Sequence, residues 1–164
     1  METITTHLIR ETERRILGES IPRIKQSLGL LTVEQIWERP NAEMASIGHL
    51  VLHVCGNARQ WVLHALCGQP DVRDRQSEFA DQEPLTQEEL IRLLDELASD
   101  LQVALPQVQE TMLLATYPVQ VFQENGVAIL VHAIEHFSYH AGQIARDTKR
   151  MLRIDLGFYA DLDL

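Results

Sequence analysis

The chain of 164 residues carries 24 acidic against 14 basic side chains, a formal net charge of -10, with 45% hydrophobic and 5% aromatic content. That balance excludes a nucleic-acid partner and disfavours an anionic membrane surface, because phosphate binding needs a concentrated basic face. The length fits one domain over residues 1–164, and the scarcity of aromatics and of strand-like alternation points to a soluble all-α protein.

In chain order, Ile4, Leu8, Ile16, Ile21, Ile24 and Leu28 recur at near-helical spacing, predicting a first amphipathic helix from Glu2 to about Leu28, bent near Pro22. Thr32 to Gln35 reads as a capping signal for a short helix that ends at Arg39-Pro40. A second long helix is predicted from about Ala42 to Leu66, stopped by Gly68, with His49, His53, Asn57, Gln60 and His64 down one side. Residues 68–85 are polar and turn-rich, a long loop of the kind that often forms a lid or rim. Thr86 and Glu89 form a capping box for a third helix through Leu90, Leu93, Leu94, Leu97 and Leu101, ending near Pro106. Residues 116–126 read as a second connector, a fourth helix runs from about Val127 to Leu152, and the stretch from Asp155 to Ala160 is a short tail with apolar anchors. Four long helices with two long connectors predict a four-helix bundle, a fold that builds metal sites from facing helices.

The longest apolar stretches, Ile47 to Cys55 and Val127 to Ile134, fall short of the roughly 18 residues a membrane span requires. The N-terminus lacks the basic-then-apolar order of a secretory signal, so a cytoplasmic location is expected. Cys55 and Cys67 lie on one predicted helix, about 18 Å apart at 1.5 Å rise per residue, beyond disulfide reach and consistent with free thiols in a reducing compartment. Cys55 is read as a small core residue, and Cys67 has no basic neighbour to activate it.

The chemistry concentrates in the histidines. His132, His136 and His140 follow one another at four-residue spacing on the fourth helix, and His49 and His53 repeat that spacing on the second. Side chains at i and i+4 stack on one helix face, so a pair of them can aim ring nitrogens at one point. Satisfied core or rim histidines are the plain alternative, but five at matched spacing on two helices favour a metal site. His132 and His140 are about 12 Å apart along the axis, too far to share an ion held at about 2.0–2.1 Å from each nitrogen. The ligand pair is therefore His132/His136 or His136/His140. The second is preferred, because Gly142 and Gln143 follow at once and Gln143 can orient a ligand ring. His132 then lines the cavity, either as a proton carrier or as a structural histidine.

Two stretches carry a resemblance: Ser46-Ile-Gly-His-Leu-Val-Leu-His53 running on through Asn57 to Trp61, and His132-x-x-x-His136-x-x-Tyr139-His140-x-Gly142-Gln143-Ile144. Together they resemble the DinB/YfiT-like superfamily of metalloenzymes, in a branch whose function is unassigned. The resemblance extends over essentially the whole chain. It implies a four-helix bundle, often dimeric, holding a divalent ion such as zinc or nickel on three histidines, one from the second helix and two from the last. Carried over by motif, those ligands are His53, His136 and His140. His49 stands where the superfamily pattern has a non-ligand, often Asn, which leaves a four-histidine site open. His49, His132, Asn57 and Gln143 form the candidate layer of residues around the ligands.

The count matters: three neutral imidazoles leave an open coordination position, whereas four would close the site and make the metal structural. The resemblance implies a metal-dependent enzyme acting on a small-molecule substrate, of thiol S-transferase or hydrolase type, with a low-molecular-weight thiol as co-substrate. The alternative is a non-catalytic, stress-associated dimeric bundle that binds metal for structure. Glu135 is read as solvated rather than as a general base, Tyr139 and Asn57 as rim or interhelical residues, and Trp37, Trp61, Phe137 and Phe158 as core. Arg59, Arg73 and Arg75 are read as solvated surface, and His7 and His64 as ordinary surface residues.

Overall fold

A computed structural model of the protein describes residues 2–80 and 83–160. Helix α1 (Ile4–Arg15) begins at Thr3, whose hydroxyl accepts from the Thr6 amide, and runs into α2 (Ile21–Leu30) through a π-helical turn at Ile16–Ser20. The break expected near Pro22 takes this form: the widened turn lies immediately before the proline, whose ring removes a backbone donor. The short α3 (Val33–Trp37) carries the predicted Thr32/Gln35 capping box.

Helix α4 (Ile47–Ala58) starts five residues later than the sequence predicts. Ser46 supplies the reason: its hydroxyl accepts from the His49 amide at 3.2 Å and the His49 ring reaches back, so the cap forms there. Just before the predicted start, Asn41 folds a turn by accepting from the Glu43 amide at 3.0 Å. Past Ala58 the helix continues as a π-helical segment, Arg59–Leu66, and ends at Gly68 in the left-handed region (φ 73°), where Gly68 and Gln69 amides cap the carbonyls of His64 and Leu63. Residues 69–80 then form a strap back across α4 with a single 3₁₀ turn at Ser77–Phe79.

Helix α5 (Gln87–Ala104) opens with the predicted Thr86/Glu89 box and closes in a 3₁₀ turn at Leu105–Gln107. Two elements were not anticipated: helix α6 (Glu110–Leu114), and a hairpin of β1 (Thr116–Val119) with β2 (Phe122–Asn125) where a plain connector was expected. The two-residue turn puts Gln120 at φ 54°, a conformation usually reserved for Gly or Asn, and that hid the hairpin from a sequence reading. Helix α7 (Gly126–Leu152) is capped by Asn125, which accepts from the Ala128 amide at 2.8 Å, and ends at Arg153 in the left-handed region.

The protein is an all-α bundle with this one small hairpin. Helix α7 packs against α2 and α4, and α5 packs against the same two, closing a four-membered ring of helices. Ile24, Leu28, Leu90, Leu94, Leu97, Leu101, Ile129, Leu130, Ala133, Phe137 and Ile144 fill its centre, following the helical period along each helix. Along α7 the buried row Ala133, Phe137, Ala141 and Ile144 lies one position beyond the row His132, His136 and His140, so packing the first row turns the second towards α4. Among the described residues no helix is long and apolar enough to cross a membrane.

Candidate metal centre

Helices α4 and α7 bring His53, His136 and His140 together with one ring nitrogen of each within 4.8 Å of the others. His53 Nε2 faces His136 Nε2 at 3.0 Å, and His140 stands edge-on to both rings, with centroids 5.2 Å and 4.5 Å away. His49 lies outside this group. Its Nδ1 is 2.7 Å from the Ser46 hydroxyl in the helix cap and its ring packs edge-on against Trp37, so a four-histidine cluster does not form among the described residues.

The outer nitrogens of two rings are held. His140 Nδ1 meets Gln143 Oε1 at 2.7 Å, an amide oxygen that only accepts, so Nδ1 carries the proton and Nε2 the free lone pair. His53 Nδ1 meets Glu78 Oε2 at 2.8 Å, with the same consequence. A guanidinium hydrogen bond to that Nδ1 would require the opposite tautomer, but Arg73 Nη2 stands farther off, at 3.3 Å, and donates to Glu78 Oε2 at 2.9 Å. His136 Nδ1 is buried without a partner.

Sequence reading missed Glu78 and misplaced Arg73. Arg73 is not solvated surface: its side chain is 1% exposed, and it grips Glu78 through Nε to Oε1 at 2.6 Å and Nη2 to Oε2 at 2.9 Å. The strap carries both residues inward, and the bare backbone of Gly56 on α4 makes the room, since a Cβ there would overlap Glu78 Oε1. Burial alone would raise the Glu78 pKa, but hydrogen bonds from Arg73 and then His53 outweigh it and hold the carboxyl below its usual range. The sequence offered one clue, Phe79, the aromatic of the polar loop, which packs 5.0 Å from the His53 ring.

A cavity of about 360 Å³ opens beside the cluster. His53, His136, His132, Asn57 and Trp61 line its helical wall, and the hairpin supplies Gln120 from its turn with Phe122 and Glu124, alternate residues on one face of β2. His132 stacks on Trp61 at 3.8 Å, and Asn57 Nδ2 approaches its Nε2 at 3.3 Å. Arg75 stands at this cavity, while Arg59 pairs with Asp100 at 2.7 Å. Tyr139 is 63% exposed with its ring edge-on to His140, 5.1 Å between centroids, and Phe158 lies under Arg23, away from the cluster. A larger cleft of about 700 Å³ between Arg15, Arg23, Arg146 and Phe158 touches none of the histidines. His7 is on the surface, and His64 Nδ1 contacts the Gln69 carbonyl at the helix end. Burial pushes the Cys55 thiol up to about 12 and the Cys67 thiol to about 11, so neither is a ready nucleophile.

Burial, then the neighbouring His140 and His53, holds the His136 pKa down to about 3, and burial lowers His140 and His132 as well. The unfolded chain therefore binds protons near pH 6.5 that the folded chain refuses. Stability from this source is complete above about pH 6.5 and drains away as pH falls towards about 3. Urea midpoints of the metal-free protein are expected to drop steadily between pH 7 and 4, and His136→Phe should flatten that slope; an unchanged slope would contradict the assignment.

The protein family described as "Protein of unknown function (DUF1572)" matches residues 6–155. A DinB-like protein of Bacillus subtilis, YjoA, superposes with a TM-score of 0.69 at 18% identity, over 91% of this chain and 96% of that one. A conserved protein from Enterococcus faecalis superposes with a TM-score of 0.66 at 16% identity, over 94% of this chain and all (100%) of that one. Likeness at such identity concerns the fold. No curated protein matches the sequence. With its bundle, its histidine cluster and a match over nearly its whole length, the chain belongs to the DUF1572 family and has the DinB-like fold.

Proposed function

We propose that the protein is a metal-dependent enzyme that activates a low-molecular-weight thiol, or water, for transfer to or hydrolysis of a small substrate, using a divalent ion on His53, His136 and His140. The observation that carries this reading is the convergence of three imidazoles from two helices, two of them with Nδ1 hydrogen-bonded away from the centre. The residues fit such an ion. Tetrahedral ligands at about 2.0–2.1 Å stand roughly 3.3 Å apart, close to the 3.0 Å between His53 and His136, and with all three ligand nitrogens within 4.8 Å of one another the rings need close by no more than about 1.5 Å. Burial keeps His136 and His140 neutral, the form that ligates. An all-nitrogen set suits zinc or nickel. When bound, the ion supplies an electrophilic centre with an open position, where the pKa of a thiol or water falls.

The chain's own residues do the rest. Glu78 and Gln143 fix the rings of His53 and His140. Neutral His132, stacked on Trp61, presents a base at the cavity wall, and Phe122 with Trp61 supplies an apolar patch on an otherwise polar wall. About 360 Å³ admits a small substrate and excludes a macromolecular one.

Zinc or nickel at a hundred times its Kd should stabilise the protein by about 2.7 kcal/mol, raising Tm by roughly 5–11 °C for a chain of this size. A screen of electrophiles with several thiols, run with and without metal, then tests catalysis. Turnover that needs both metal and thiol, or metal alone for hydrolysis, supports the proposal. Tight metal binding with no turnover across the screen would leave the structural alternative.

A further inference from the structure

We propose that Glu78 is the positioning residue of the metal centre: it holds His53 in the Nδ1–H tautomer with Nε2 aimed at the ion, Arg73 fixes Glu78, and Gly56 is the opening that admits it. This rests on reading His53 as a ligand. Three independent features of the structure converge on it. The Arg73–Glu78 pair is buried at both ends, 1% and 7% exposed, in a chain whose other described ion pairs lie nearer solvent. A buried ion pair is weak evidence of stabilisation, since apolar residues of similar volume often do as well, so its retention at this place calls for another role. The pair also meets the cluster at one atom, His53 Nδ1, on the side of the ring opposite His136. Finally, Gly56 interrupts an apolar helix where alanine would ordinarily serve better, and the space it leaves is filled by Glu78 Oε1.

A carboxylate on the outer nitrogen of a ligand imidazole fixes the tautomer and ring plane and raises the basicity of the inner nitrogen. Arg73 contributes a rigid fork that leaves the carboxylate little freedom to rotate. Gln60 accepts from Arg73 Nη1 at 3.1 Å and from Gln120 Nε2 at 3.0 Å, tying strap and hairpin together over the cavity. The strap is thereby part of the metal site, although it carries no ligand.

The test compares wild type, Glu78→Gln, Gly56→Ala and the double variant Glu78→Gln/Arg73→Met, which leaves no unpaired buried arginine and so guards against a folding failure. Zinc affinity is measured by chelator competition on untagged protein, and the His53 tautomer by imidazole ¹⁵N resonances of the metal-free form. Each variant is expected to bind one zinc per chain 10–100-fold more weakly than wild type, with His53 divided between tautomers. A purely structural role would lower Tm and leave both readouts unmoved, and zinc affinity within threefold of wild type in the double variant overturns the proposal while the three-histidine reading stands. Wild type that binds no zinc overturns both.

Discussion

His136→Ala is expected to weaken zinc or nickel binding by on the order of a hundredfold to a thousandfold. Structural zinc sites gain about 10–16 kcal/mol from four ligands, roughly 2.5–4 kcal/mol each, and His136 is the ring that faces His53 at 3.0 Å. Two controls belong with it. His49→Ala should leave affinity within about threefold, because that ring serves the Ser46 cap, and its loss should appear as a cap-sized destabilisation of about 1 kcal/mol. His132→Ala should likewise spare affinity, because the ring stacks on Trp61 outside the convergent group. Wild-type affinity in His136→Ala would show that the ligands are wrongly assigned.

Arg73→Met is expected to destabilise the metal-free protein by about 3–5 kcal/mol, the cost of leaving a buried carboxylate without its partner. The chain provides its own comparison: Arg59 pairs with Asp100 at a similar distance, but with side chains 31% and 45% exposed, so Arg59→Met should cost about 0–1 kcal/mol. Arg73→Met/Glu78→Met should recover much of the loss. Urea unfolding at constant m-value checks all three. Equal effects at Arg73 and Arg59 would mean that the strap opens easily and Glu78 reaches water.

The contrast between those two arginines shows what the sequence could and could not tell. Apolar residues three and four apart reported which face of each helix is buried, and the row Ala133, Phe137, Ala141 then determined where the neighbouring histidine row points. Capping boxes at Thr32 and Thr86 placed helix starts because their signal is local. Arg73 and Glu78 have no such periodicity. They sit in a polar loop where charge usually means solvent, and their burial depends on a non-local fit against Gly56. The hairpin escaped for a related reason, since its turn rests on Gln120 in a conformation that the residue type does not advertise. Its side chains nevertheless close one wall of the cavity.

X-ray absorption on untagged, zinc-loaded protein tests the central claim most directly. Three imidazole nitrogens at about 2.0–2.1 Å and one further light ligand are expected, with a sulfur at about 2.3 Å replacing the latter when a thiol is added. Four imidazoles, or an absence of stoichiometric zinc, would contradict an open three-histidine centre.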